Sequence, residues 1–136
     1  MTNFETVSAI ERLRNPFELI ALAQKGVLRS KVDEVAKQFA LTDRELARIL
    51  NISERTLHRL RPDARLDAST SEKLLKLVLL YQHGIEVFDT IASFNEWMKQ
   101  KLRILGDKSP MEMLDTATGM EYVDNVLGRI EWGIYS

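Results

Sequence analysis

Residues 41–61 read Leu41-Thr42-Asp43-Arg44-Glu45-Leu46-Ala47-Arg48-Ile49-Leu50-Asn51-Ile52-Ser53-Glu54-Arg55-Thr56-Leu57-His58-Arg59-Leu60-Arg61. Thr42 is placed to cap a helix, and Glu45, three positions on, completes the spacing of a capping box. Leu41 and Leu46 flank that cap as a hydrophobic staple. Leu46, Ile49 and Leu50 make one apolar helical face, and Ala47 is small enough to let a second helix approach closely. Asn51 follows, a residue that tolerates the left-handed conformation needed to stop a helix. Ser53 then repeats the start signal, with Ile52 and Leu57 as the staple. Leu57 and Leu60 face inward, which leaves Glu54, Arg55, His58, Arg59 and Arg61 outward. Two short helices joined by a tight turn, the second studded with basic side chains, form the layout of a helix-turn-helix DNA reader.

The outward residues suit a helix lying in a major groove. Arginine holds guanine through two parallel hydrogen bonds, each such pair being worth about 1–3 kcal/mol of discrimination. Arg55, near the helix start, is the first candidate for a base contact and Arg59 the second, while Arg44 or Arg65 is suited to gripping phosphate. Ser53 can donate to a phosphate or a base edge. Glu54 can accept from a cytosine amino group or simply favour the helix N-terminus, and His58 lies on the same face. The plainer reading of these residues is a capped helical hairpin whose charged side is only solvated, including a helix-turn-helix fold that has lost its DNA.

Outward from this pair, helix starts recur. Asn15-Pro16-Phe17-Glu18 offers a cap, a proline in the first helical slot and a glutamate at the third, and Gly26 can end that helix after Lys25. Ser30 is expected to begin another, with Val32, Val35, Ala36 and Phe39 inward. Pro62 stops the recognition helix, and residues 63–68 read as a linker. Ser69 with Glu72 opens a longer helix on which Leu74, Leu77, Val78, Tyr81, Ile85 and Phe88 recur at helical spacing. Ser93 with Glu96, Ser109 with Glu112, and Thr118 with Glu121 supply three further capping boxes. No period-two run of useful length appears. The fold class is all-α, about seven to nine helices: an N-terminal helix-turn-helix bundle followed by a C-terminal helical domain. The expected partition is an N-terminal arm at 1–14, a DNA-binding domain at 15–68 and a second helical domain at 69–136.

Composition narrows the class of protein. The 136 residues are 45% hydrophobic and 29% charged, which fits a globular chain. There is no cysteine, and His58 and His83 are far apart, so no metal site and no cofactor are expected. The first residues carry Glu5 and no long apolar run, and the longest such run, residues 77–81, is far short of a membrane span, so a cytoplasmic protein without a membrane partner is expected. Net charge is −1, unlike a general nucleic-acid coater. Residues 1–68 nevertheless hold 12 Lys and Arg against 10 Asp and Glu, whereas residues 69–136 hold 7 against 10. Only the first half can host a basic patch, and a homodimer would double it, as sequence-specific repressors commonly require.

The C-terminus is harder to read blandly. Gly133 should break the last helix and leave Ile134 and Tyr135 as an apolar end. Such an end suggests something to dock against, either its own body or a partner. Taken in order, Ser53-Glu54-Arg55-Thr56-Leu57, Trp97, Leu105-Gly106, Ser109-Pro110, Leu114, Gly119, Leu127 and the closing Gly128-Arg129-Ile130-Glu131-Trp132-Gly133 resemble the Xre/MbcA/ParS antitoxins over residues 17–136. Asn51 stands where many relatives have glycine in the turn, and Asp107 where the family loop often has a second glycine. The resemblance implies a type II toxin–antitoxin system. The N-terminal part would bind operator DNA and repress its own operon. The C-terminal part would bind a RES-domain toxin, of a class that depletes NAD+, and cover its NAD pocket. Arg129, Trp132, Ile134 and Tyr135 are the residue types that dominate such interfaces, with Arg129 placed to pair a carboxylate or reach toward a phosphate-binding site. The competing reading packs Ile130 and Trp132 into the chain's own core or a homodimer seam.

Catalysis is not indicated. There is no glycine-rich phosphate loop and no His-Glu-x-x-His pair, and most carboxylates serve as helix caps or surface charge. His83, beside Gly84, reads as a satisfied structural residue. Two alternatives to the antitoxin remain: a plain transcriptional regulator whose second half only dimerises, and an adaptor that binds protein but not DNA.

Overall fold

The computed structural model of the protein describes residues 13–133. Seven α-helices lie wholly within that span: α1 (Pro16–Lys25), α2 (Arg29–Gln38), α3 (Asp43–Leu50), α4 (Glu54–Arg59), α5 (Ala68–Phe88), α6 (Ile91–Met98) and α7 (Ala117–Glu131). Two 3₁₀ turns, Arg103–Leu105 and Pro110–Met113, separate α6 from α7. The all-α reading holds. The chain divides into two compact units, Met1–Leu79 and Leu80–Ser136, and α5 contributes residues to both.

Capping chemistry accounts for most of the helix starts. Asn15 accepts from the backbone of Phe17 at 2.9 Å and of Glu18 at 3.3 Å, with Pro16 in the first turn of α1. Thr42 and Glu45 exchange two 3.0 Å bonds at the head of α3, the reciprocal capping box. Asn51 closes α3 in the left-handed region (φ 61°), so that its own N–H reaches the Arg48 carbonyl and that of Ile52 reaches Ala47. Ser53 caps α4 through Thr56 N at 2.9 Å. Leu46, Ile49, Leu50 and Leu57 are all buried.

Four expected starts are displaced, each for a local reason. α2 begins at Arg29, not Ser30, and has no side-chain cap: the N–H groups of Arg29 and Ser30 donate to the Ala64 and Pro62 carbonyls at 2.8 and 3.1 Å. α5 begins at Ala68, because Asp67 rather than Ser69 accepts from Thr70 N, at 2.7 Å. That bond, with help from the Thr70 hydroxyl, holds the Asp67 carboxyl below its ordinary pKa. α6 is capped by Thr90, whose hydroxyl accepts from Ser93 N at 3.0 Å, so Ser93 lies inside the first turn. α7 is capped by Thr116 through Gly119 N at 2.9 Å, which puts Thr118 inside as well. The recognition helix also ends early, at Arg59: Leu60 is already extended (ψ 133°), so Arg61 lies beyond the helix. The Ser109–Glu112 box does form, with bonds of 2.9 and 3.3 Å, and it lowers the pKa of Glu112 through the Ser109 N–H first and its hydroxyl second.

In the second unit an aromatic cluster fills the space between helices. Phe94 meets Tyr81 edge-on at 4.9 Å and stacks with Phe88 and Trp97, both at 6.0 Å between ring centres. Gly84 makes this possible, since a Cβ there would lie 2.3 Å from the Phe94 ring. Gly119 plays a similar part at the head of α7, where a Cβ would sit 1.9 Å from the Met113 carbonyl oxygen.

Gly119 therefore yields a prediction whose sign opposes helix propensity. Alanine in a helix is normally favoured over glycine by about 0.8–1.0 kcal/mol. Gly119→Ala should instead destabilise the protein, by about 1–3 kcal/mol, the usual range for overpacking. Urea denaturation checks it, and an unchanged or raised midpoint would refute the close-packing account.

Candidate functional site

The two units carry separate candidate surfaces. In the first, α3, the Asn51–Ile52–Ser53 turn and α4 present an exposed polar face on a buried leucine and isoleucine base. Arg44, Ser53, Glu54, Arg55, His58, Arg59 and Arg65 are all exposed. Arg44, Arg55 and Arg59 form no ion pair with the described residues, so their guanidinium groups remain available to an outside acceptor. His58 differs: its Nε2 lies 2.9 Å from Asp43 Oδ2, bracing the end of α4 against the start of α3. Ser53 Oγ is also engaged, donating to Thr56 Oγ1 at 2.9 Å. Arg65 serves partly as a tie, with Nη1 donating to the Gly26 carbonyl at 2.6 Å.

Arg29 is the residue that sequence reasoning missed. It is 8% exposed, and its Nε donates to the Leu57 carbonyl of α4 at 2.9 Å while Nη1 binds the Asp33 carboxylate one turn further along α2. The only sequence signal was negative: an arginine in the first turn of a helix sits at the wrong end of the dipole. Two neighbouring segments hold it in place. Leu28 pairs antiparallel with Arg65, and Leu66 N donates to the Val27 carbonyl at 2.9 Å. Buried Ser71 of α5 accepts from Val27 N at 2.9 Å and donates to the Leu66 carbonyl at 3.3 Å. The excursion from α2 to α4 is thus closed at its base by polar bonds that no periodicity reveals.

In the second unit, α7 ends as expected: Gly133 is left-handed (φ 73°), and Trp132 N and Gly133 N donate back to Gly128 and Ile130. Trp132 is 80% exposed and Arg129 is also exposed, so Trp132 does not pack into the chain's own core. Ile134 and Tyr135 lie outside the described residues. His83 of α5 meets two carboxylates of α7, with Nδ1 2.7 Å from Asp124 Oδ1 and Nε2 3.0 Å from Glu131 Oε1. Both nitrogens must carry hydrogen to satisfy both acceptors, so the arrangement requires the imidazolium. Burial pushes its pKa down, but the bonds to Asp124 and Glu131 outweigh that and raise it above the ordinary histidine value. His83 is therefore the satisfied structural residue that its place on a long helix suggests. No cluster of three potential metal ligands occurs among the described residues, and no helix there is long and apolar enough to cross a membrane.

A helix-turn-helix unit followed in sequence by a second helical unit defines an all-α class of helix-turn-helix protein. The comparisons narrow it. Residues 18–79 match the antitoxin Xre-like helix-turn-helix domain, and residues 83–133 match the antitoxin Xre/MbcA/ParS C-terminal toxin-binding domain. The chain is 31% identical over 123 residues to the antitoxin Xre of Photorhabdus laumondii, covering 87% of this chain and 81% of that protein. It is 25% identical over 132 residues to the Prs ADP-ribosylating antitoxin of a Sphingobium strain, covering 90% and 83%. Its fold matches one chain of the crystal structure of the M. tuberculosis MbcT–MbcA toxin–antitoxin complex, with a TM-score of 0.60, 19% identity, and coverage of 79% of this chain and 96% of that one. The chain belongs to the Xre/MbcA/ParS antitoxin family; it is an antitoxin of a toxin–antitoxin system and not an enzyme.

Two measurements test the geometry. Arg29→Met should cost about 1.5–3 kcal/mol, the range for a hydrogen bond to a charged group, and should raise amide exchange in α4 first; wild-type protection there would remove Arg29 from the brace. For His83 the folded pKa is raised, so its stabilisation is complete below the unfolded value and is lost as pH rises through the folded one. His83→Ala should therefore lower the Tm more at about pH 6 than at about pH 9. Equal losses at both would show that the clamp carries no charge.

Proposed function

We propose that this antitoxin represses its own operon through operator DNA and neutralises a RES-domain toxin by covering its NAD-binding active site. The DNA-binding role falls to residues 15–68 and the toxin-binding and dimerising role to residues 69–136. Arg55 and Arg59 contact bases. Arg44 and Arg65 hold phosphate, and Ser53, Glu54 and His58 shape the same face. A homodimer, acting in the cytoplasm, sets two recognition helices on one operator.

The observation that carries the toxin reading is Trp132, 80% exposed at the end of α7 in the domain whose family is described as toxin-binding. Tryptophan and arginine are among the residue types enriched at interface hot spots. Arg129, Trp132, Ile134 and Tyr135 form this plug, and a stable inhibitory complex buries about 1,200–2,000 Å² in all. The Sphingobium relative is named for ADP-ribosylation, a reaction that uses NAD as its donor, which supports NAD chemistry in a system of this kind. The DNA reading is supported by three arginines on the helix-turn-helix face that make no ion pair with the described residues.

Operator binding should weaken steeply with salt, the log–log slope growing by roughly 0.9 for each phosphate neutralised. Arg55→Ala should cut the preference for operator over unrelated DNA roughly 5- to 150-fold in a mobility-shift assay, the equivalent of one lost bidentate contact. Deleting residues 132–136 should leave operator binding intact and abolish rescue of cells expressing the toxin. A folded truncation that neutralises at full strength would overturn the plug, and an unchanged DNA preference would remove Arg55 from the reading face.

A further inference from the structure

Positive charge in the second unit is concentrated in one place. Residues 80–136 contain five Lys and Arg against nine Asp and Glu, and four of the five (Lys99, Lys101, Arg103 and Lys108) fall within ten residues. All four are exposed, and none forms an ion pair with the described residues. Glu112, on which Lys101 and Lys108 act only through space, is already held by the Ser109 N–H and hydroxyl, and Asp107 is the one carboxylate within the stretch. Between these cations Ile104 is 38% exposed, while its neighbour Leu105 is buried as an anchor.

The backbone beneath them is tightly bonded. Leu102 pairs antiparallel with Lys108, Leu102 N donating to the Lys108 carbonyl at 3.0 Å. Asp107 N returns to the Leu102 carbonyl at 3.0 Å, and Gly106 and Asp107 are both left-handed, at φ 69° and 66°. A loop closed on itself in this way loses little backbone freedom on binding, which lowers the cost of association. Unpaired cations on such a loop attract an oppositely charged surface and speed the encounter.

We propose that residues 99–108 are a second docking surface of the antitoxin, which engages an acidic face of the toxin that has an apolar spot for Ile104. This rests on the toxin-binding reading above and extends the contact beyond the tail. A protein face fits better than a phosphate backbone on two counts. Ile104 has no counterpart on phosphate, and outside the loop the unit carries eight carboxylates against one arginine, which repel a polyanion.

The test titrates full-length wild type, Lys101→Glu/Arg103→Glu and Arg103→Gln/Lys108→Gln onto the purified cognate RES-domain toxin, at about 0.1 M and about 0.5 M salt. Lys25→Glu/Lys37→Glu, the same charge change in the first unit, is the control, and circular dichroism verifies that each variant folds. The reversal should weaken binding about tenfold or more at low salt, mainly through slower association, and the gap should narrow at high salt; the neutralised pair should lie between, and the control near wild type. Wild-type binding by both loop variants overturns the surface. Loss of operator affinity with toxin affinity kept would make the loop a phosphate contact and overturn it too. Failure of the wild type to bind the toxin at all would bring down the toxin reading itself, and this surface with it.

Discussion

The first unit depends on the polar closure at the base of its helix-turn-helix. A helix start leaves N–H groups that must find partners, and α2 has no capping side chain to offer them. They find the carbonyls of Pro62 and Ala64 instead, on a segment that lies beyond the recognition helix in sequence. The same closure brings Arg29 under α4. A cation at the N-terminus of α2 is unfavourable by itself, but here its charge meets the Leu57 carbonyl near the C-terminal end of α4, where the helix dipole is negative, and the Asp33 carboxylate. Remove the closing bridge, and the arginine has no reason to be buried and α2 no way to satisfy its first turn.

The second unit relies on close packing and charge rather than on a polar seam. Gly84 admits Phe94, Gly119 admits the Met113 carbonyl, and the aromatic rings of Tyr81, Phe88, Phe94 and Trp97 fill the space. His83 then ties α5 to Asp124 and Glu131, which lie two turns apart on α7. That clamp reaches the stretch of α7 bearing Arg129 and ending at Trp132, so the helix end is held from within while its exposed tryptophan stays unburied.

What the sequence revealed was what local chemistry decides. Asn15-Pro16, Thr42 with Glu45, Ser109 with Glu112, the stop at Asn51 and the break at Gly133 appear in place because each depends on a few adjacent residues. Ser30, Ser69, Ser93 and Thr118 misled for one physical reason: a hydroxyl in the first turn looks like a cap, and only the extended residue before the helix distinguishes them. Asp67, Thr90 and Thr116 hold that position, two or three residues upstream of the decoy, and at α2 distant carbonyls do the work. The exposed arginines of the reading face were legible because an amphipathic helix declares its outer side. Arg29 was not, because its burial comes from a segment more than thirty residues away.

Asn51 and Asp107, where the resemblance implies glycine, are both left-handed. Asparagine and aspartate are the residues other than glycine that visit this region most readily, so the turns survive without glycine's loss of chain entropy. At Asn51 the consequence is mechanical. Three residues separate α3 from α4, and each is committed: Asn51 N to Arg48, Ile52 N to Ala47, and the Ser53 hydroxyl to Thr56. With no uncommitted residue in the turn, the direction of α4, and with it of Arg55 and Arg59, is set by these bonds together with the Arg29 and His58 ties. A substitution at Arg55 or Arg59, which take part in none of them, can therefore change what the helix recognises without changing where it points.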